Sequence, residues 1–191
     1  MHHHFKLFKP YGFLSQFQTN ANHERNKQFL GKLHEFPKGT MAIGRLDKDS
    51  EGLLLLTTDG KVSYAICNSG VEKEYHVLVD GVPSEASLLQ LEQGVRLSHK
   101  GESYTTKSCK VQLLQTTPNF PERVKNIRDE RHGKSTWIAI TITEGKFRQV
   151  RKMTAKVGLP TLRLVRVRVG TETLEGLGMG DVVQLKHAPA L

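Results

Sequence analysis

Apolar and polar residues alternate through FKLF at 5–8 and then meet Lys9-Pro10, which predicts a short strand broken at the proline. Met41–Ile43 predicts a second short strand. The unbroken apolar run Leu53–Leu56 is followed by two threonines and stopped by Asp59-Gly60, the pattern of a strand buried on both faces. Val62–Cys67 fits one short helix, and Glu74–Val79 alternates into a turn. Pro83-Ser84 opens a helix over Ser84–Gln93, with Leu88 and Leu91 inward and Gly94 as its stop. Tyr104–Leu114 alternates weakly, as one or two strands. Thr136–Thr143 is β-branched and alternating, the strongest strand pattern in the chain. Val150, Met153 and Val157 fall at i, i+3 and i+7, so Phe147–Val157 reads as an amphipathic helix ended by Gly158 and Pro160. Thr161–Val169 alternates leucine and valine with arginine, and Asp181–Leu185 reads as a last strand. Residues 20–40 read as a polar loop with a short helix near Lys27–His34, and Thr116–Ser135 as an exposed loop. Strands in succession with few helices between them predict an α+β fold with a mainly antiparallel sheet.

Charge adds a partner. The 191 residues carry a net charge of +9, which suits a polyanion, nucleic acid first and an acidic membrane surface second. From Gly145 to Thr171 stand eight Lys or Arg and no Asp or Glu. A solvated face usually mixes signs; a one-signed stretch suits a phosphate-facing surface. The apolar runs are far shorter than the roughly 20 residues of a membrane span. Cys67 and Cys109 stand apart without a CxxC pairing, which fits a reducing compartment, here the cytoplasm, and argues against a zinc module. The opening MHHH reads as a tag remnant without function.

The chemistry concentrates in GRLDKDSEGLLLLTTDG at 44–60. Asp47, Asp49 and Glu51 resemble the start of a calcium loop, yet its twelfth position, where a bidentate Glu belongs, is Thr58, and its ninth is Leu55. A magnesium site would need a further carboxylate group that does not stand out. Two readings remain from the residues alone: a polar turn before a buried strand, or a carboxylate kept ionised by a cation and used as nucleophile or base.

Five segments in order resemble the RsuA/RluB-type ribosomal RNA pseudouridine synthases. They are FKPYG at 8–12, GRLDKDSEGLLLLTTDG at 44–60, KEYHV at 73–77, EGKFRQVRKM at 144–153, and LRLVRVRVG with Leu174 and Gly180 after it. The details around IRDERHGKSTW and MTAKVGLPTLRLVR are most similar to the large-subunit synthase E group, which lacks the S4 RNA-binding domain of other members. The resemblance implies a pseudouridine-synthase fold: a central, mainly antiparallel mixed sheet, flanking helices and a basic active-site cleft. It implies one catalytic domain over 1–191, in two halves of approximately 1–80 plus the C-terminal end and 81–170, without an S4 domain.

It also implies a cofactor-independent and metal-independent isomerase acting on one uridine of large-subunit ribosomal RNA in the cytoplasm, with a small-subunit target as the rival; a monomer is the default expectation. Asp47 would be the catalytic carboxylate, Arg151 its ion-pair partner, and Tyr75 would lie against the uracil. Leu164 would form an apolar wall. Arg45 would brace or replace the flipped base, Lys73 would touch the Tyr75 region or a phosphate, and Arg148, Lys152, Arg163 and Arg166 would contact the RNA backbone. Asp49, Ser50 and Glu51 would shape the turn. A plain RNA binder and a metal-dependent nuclease are the competing classes.

Overall fold

The computed structural model describes residues 1–18, 27–123, 125–128 and 130–190. The chain folds as two units, the first of Met1–Val71, Pro121–Lys125 and Val165–Leu191, the second of Glu72–Phe120 and Asn126–Leu164. The class is α+β with a central, mainly antiparallel sheet and helices, as expected.

In the first unit, β1 (His4–Lys9) pairs antiparallel with β5 (Glu51–Thr57) on one side and with β13 (Val182–Leu185) on the other. β4 (Met41–Ile43) adds antiparallel to β5. All seven residues of β5, EGLLLLT, are buried, as its unbroken apolar run predicts for a strand covered on both faces. The short strands β2 (Phe13–Leu14) and β3 (Gln28–Phe29) pair with each other in parallel. Helix α1 (Gly60–Asn68) follows β5, with Asp59 as its N-cap accepting from the Lys61 amide at 2.8 Å.

The second unit is built on β6 (Lys73–Asp80), which runs antiparallel to β10 (Ser135–Ile142); β10 in turn pairs antiparallel with β9 (Lys110–Leu113). Helix α2 (Glu85–Gln93) starts at the N-cap Ser84 and buries Leu91. β7 (Arg96–His99) and β8 (Glu102–Thr105) form a hairpin of their own. Helix α3 (Gln149–Lys156) buries Val150 and Met153. β11 (Thr161–Val169) serves both units: Thr161–Leu164 belong to the second, while Val165 and Arg166 pair in parallel with Glu51 and Gly52 of β5. β12 (Glu172–Thr173) pairs back onto its end.

Several expectations shift. The halves divide at Val71–Glu72, not near residue 80, because β6 pairs along its whole length with β10. In place of a helix near Lys27–His34 stand β3 and a 3-10 turn over Leu30–Lys32 whose Leu30 is buried. Residues 20–26 of the loop expected at 20–40 lie outside the described residues, as do 124 and 129 of the loop at 116–135. The opening histidines belong to the fold: His4 begins β1 at 9 % exposure and its Nδ1 lies 3.0 Å from Thr57 Oγ1. Pairing with Thr57 of β5 makes His4 structural, while His2 stays exposed.

Gly52 is where β5 and β11 come closest. Its φ is +106°, and a β-carbon there would lie 2.3 Å from the Arg166 carbonyl oxygen. Gly31 has open space around it and no such φ. Gly52→Ala should therefore lower the melting temperature by about 6 °C or more, while Gly31→Ala shifts it by no more than about 2 °C. Thermal unfolding followed by circular dichroism measures both.

Candidate active site

Asp47 lies in the loop between β4 and β5, and that loop is fastened residue by residue. The Leu46 amide donates to Ser15 Oγ at 2.9 Å, and the same hydroxyl donates to the Leu46 carbonyl at 2.8 Å. Ser15 and Leu46 are both buried. The Gly12 amide donates to the Lys48 carbonyl at 2.8 Å, and the Ser50 amide to the Asp47 carbonyl at 3.0 Å. Arg45 is exposed, with its Nη2 donating to Gln16 Oε1 at 3.0 Å. Asp47 is left partly exposed on a backbone held on both sides. Such a loop presents its carboxylate with little entropy left to lose.

Beneath the loop lies a cation that the strand pattern did not single out. Lys9 is 0 % exposed, and its Nζ donates to the Pro10 carbonyl at 2.9 Å and the Phe13 carbonyl at 2.7 Å. Burial pushes its pKa from 10.5 down to about 7; Glu51, Asp49 and Asp47, in that order, favour its charged form, and Arg166 opposes it. The carboxylates of GRLDKDSEG thus gather around the lysine of FKPYG. Glu51, the first residue of β5, and Ser50 before it are both buried. Among the described residues no group of three or more His, Cys, Asp or Glu is arranged to hold a metal ion.

The second unit organises EGKFRQVRKM separately. Gln149, 3 % exposed, donates from Nε2 to Glu144 Oε1 at 2.6 Å and accepts from the Lys146 amide through Oε1 at 2.9 Å. Glu144 Oε1 also accepts from the Lys107 amide at 2.8 Å. Arg148 stands at the N-cap with φ +52°, in the left-handed region, so α3 begins at Gln149 and not at the expected Phe147. The first turn of α3 carries Arg151 and Lys152, both half-buried, with Lys152 Nζ donating to the Ser98 carbonyl at 3.2 Å. Lys73 runs beside this turn: a β-carbon at Gly145 would meet its Cε at 3.8 Å. Tyr75 is buried on β6 opposite Ile140, and Leu164 is buried on β11.

A family model described as RNA pseudouridylate synthase matches residues 3–156. The chain belongs to that family. It is similar to the ribosomal large subunit pseudouridine synthase E of Xanthomonas axonopodis pv. citri (strain 306), 41 % identical over 175 residues, which cover 90 % of this chain and 87 % of that one. The ribosomal large subunit pseudouridine synthase B of Bacillus subtilis (strain 168) is 32 % identical over 184 residues, 95 % of this chain and 67 % of that protein. A crystal structure of a pseudouridylate synthase shares the fold at a TM-score of 0.77 and 26 % identity, over 97 % of this chain and 71 % of that one.

Within this family member, the sequence-expected residues fall into two groups. Asp47, Arg45 and Arg166 belong to the first unit; Tyr75, Lys73, Arg148, Arg151, Lys152, Arg163 and Leu164 belong to the second. Arg163 and Arg166, expected as contacts to the RNA backbone, are 6 % and 4 % exposed. Arg163 lies over the Phe120 ring at 5.6 Å, and Arg166 Nε donates to the Leu53 carbonyl at 2.8 Å. Their places among leucine and valine in β11 suggested outward side chains, but three residues apart they lie on opposite faces of the strand, and both faces are covered from Arg163 to Arg166. Sequence reading missed Lys9, Ser15 and Gln149 as working residues. The signal for the first and last was present: both sit inside the motifs, and a motif position that never touches substrate still has a structural reason to be there.

Lys9→Met removes a buried cation from among carboxylates and strands two carbonyls, so it should lower stability by about 2–4 kcal/mol in urea unfolding. Between about pH 7 and pH 10 the unfolded chain holds the Lys9 proton and the folded chain does not. The stability of the wild type relative to Lys9→Met should therefore rise with pH in that window, by up to about 1.4 kcal/mol per unit. A flat or falling difference between pH 7 and pH 9 would contradict the assigned environment.

Proposed function

We propose that the protein converts one uridine of large-subunit ribosomal RNA to pseudouridine, with Asp47 as the catalytic carboxylate. The observation that carries this reading is the Asp47 loop, held at Leu46 by Ser15 and at Lys48 by Gly12, in a chain 41 % identical to proteins named large subunit pseudouridine synthase E. The reaction is an isomerisation. The N1–C1′ bond breaks, the base turns, and a C5–C1′ bond forms; C5 loses a proton and N1 gains one. No oxidant, reductant or metal is required, and the proposal includes none.

The remaining assignments follow the motif resemblance and stand as part of the same proposal. Arg151 keeps the catalytic carboxylate ionised and aimed, Tyr75 lies against the uracil and relays the C5 proton, and Leu164 is its apolar wall. Arg45, Lys73, Arg148 and Lys152 contact the RNA. Arg163 and Arg166 act from the interior, the first under Phe120 and the second by holding the Leu53 carbonyl. The target nucleotide is extruded from its stack at a cost of a few kcal/mol, offset by cationic contacts to phosphate. The protein works as a monomer in the cytoplasm, where ribosomal RNA is processed.

Carbodiimide labelling and primer extension on unmodified large- and small-subunit rRNA test the proposal. Wild type should produce one new stop in the large-subunit RNA, and Asp47→Asn none, a rate loss of at least about 10³-fold, with RNA binding kept within about threefold. EDTA should leave the rate unchanged. A stop confined to the small-subunit RNA would overturn the substrate assignment; no stop despite tight binding would overturn the enzyme reading in favour of a binder.

A further inference from the structure

The second unit carries a groove of about 590 Å³ between the β7–β8 hairpin and α3. Arg96, Ser98 and Ser103 line it from the hairpin, and Lys152 and Lys156 from the helix. No carboxylate lines it. Three cations around two hydroxyls form a surface that repels itself until an anion occupies it. The seryl hydroxyls donate or accept as required, a combination suited to phosphate oxygens.

Next to the groove stands Phe147, 59 % exposed. A lone exposed phenylalanine is ordinary on a protein surface. This one is set among cations and a second ring. The His99 ring lies 5.5 Å from it, tilted by 35°, and Lys152 Nζ lies 5.5 Å over it while donating to the Ser98 carbonyl. On the other side, Lys146 Nζ sits 3.7 Å over the Tyr104 ring. The nearby acids are Glu102, paired in register with His99, and Glu144, engaged by Gln149 and the Lys107 amide. Aromatic faces interleaved with lysines beside a cationic groove are the arrangement that binds unpaired nucleotides: phosphates follow the cations and a base stacks on the ring.

We propose that this face extends RNA binding beyond the contacts assigned above, sharing only Lys152 with them. Arg96, Lys152 and Lys156 hold two or more phosphates of a single-stranded segment, and Phe147 stacks one of its bases. The proposal rests on the reading of the protein as an RNA-modifying enzyme, which makes a single-stranded rRNA segment flanking the target the occupant.

Fluorescence anisotropy with a labelled single-stranded RNA of about 12 nucleotides tests it directly. Arg96→Ala/Lys156→Ala should weaken binding about fivefold or more and flatten the dependence of log K on log salt by about 1.4, the loss of two single-strand phosphate contacts. Phe147→Ala should weaken binding about fivefold, and Phe147→Trp should retain it. Arg96→Lys/Lys156→Arg, which keeps the charge, should bind as wild type does. With unmodified large-subunit rRNA as substrate, the two alanine variants should raise the RNA concentration for half-maximal turnover. Unchanged affinity and salt slope in Arg96→Ala/Lys156→Ala would overturn the proposal. So would an equal loss in Lys32→Ala/Lys38→Ala, an exposed pair on the first unit, because net charge alone would then explain the effect. If the groove variants lose binding as expected while wild type forms no pseudouridine, the surface stands and the catalytic reading falls.

Discussion

The burial of the Lys9 amino group, which brings its pKa down to about 7, is the constraint on which the first unit depends. An isolated buried cation costs several kcal/mol, so its surroundings must supply both carbonyls and carboxylates. They come from two stretches, Pro10 and Phe13 just after it and Asp47, Asp49 and Glu51 between β4 and the start of β5, while Arg166 on β11 opposes the charge. The lysine thereby ties the turn after β1 to the loop that carries Asp47. Asp47 itself stays partly exposed while its neighbour Glu51 is sealed, so one acidic run divides into a structural carboxylate and an available one. The three acids of GRLDKDSEG read as competing possibilities only until their shared cation is known.

The loop that presents Asp47 and the turn that precedes α3 are stiffened by different means. In the first, a buried hydroxyl grips both the amide and the carbonyl of one residue. In the second, a buried amide side chain bridges Glu144 and the Lys146 amide, and Arg148 adopts a left-handed backbone. Both devices hold backbone through polar side chains that lack exposure, where hydrogen bonds are costly to leave unmade. Positioning by such groups fixes geometry and charge before any substrate arrives.

Much of the scaffold was legible because its signals are local. The leucine run of β5, the alternation of β10 and β11, and the Ser84 cap of α2 each sit where the pattern predicts them. The hairpin of β7 and β8 was half-missed, since RLSH is short and polar and carries no alternation strong enough to read. The fates of Lys9, Arg163 and Arg166 were not legible either. Each lies in an alternating strand, where a charged residue is read as outward; each is buried because its partner arrives from elsewhere in the chain, Leu53 being 113 residues from Arg166.

The sequence by itself determined the family, the order of the motifs and the short acidic run in which the candidate carboxylate lies. Those depend on which side chains the chemistry needs, and residue type is written in the chain. Only the tertiary structure decided which charges are interior and which face solvent, where α3 begins, and which cations line a common groove. Burial and charge pairing are properties of neighbours distant in sequence, and a strand's alternation specifies two faces without saying what will cover either of them.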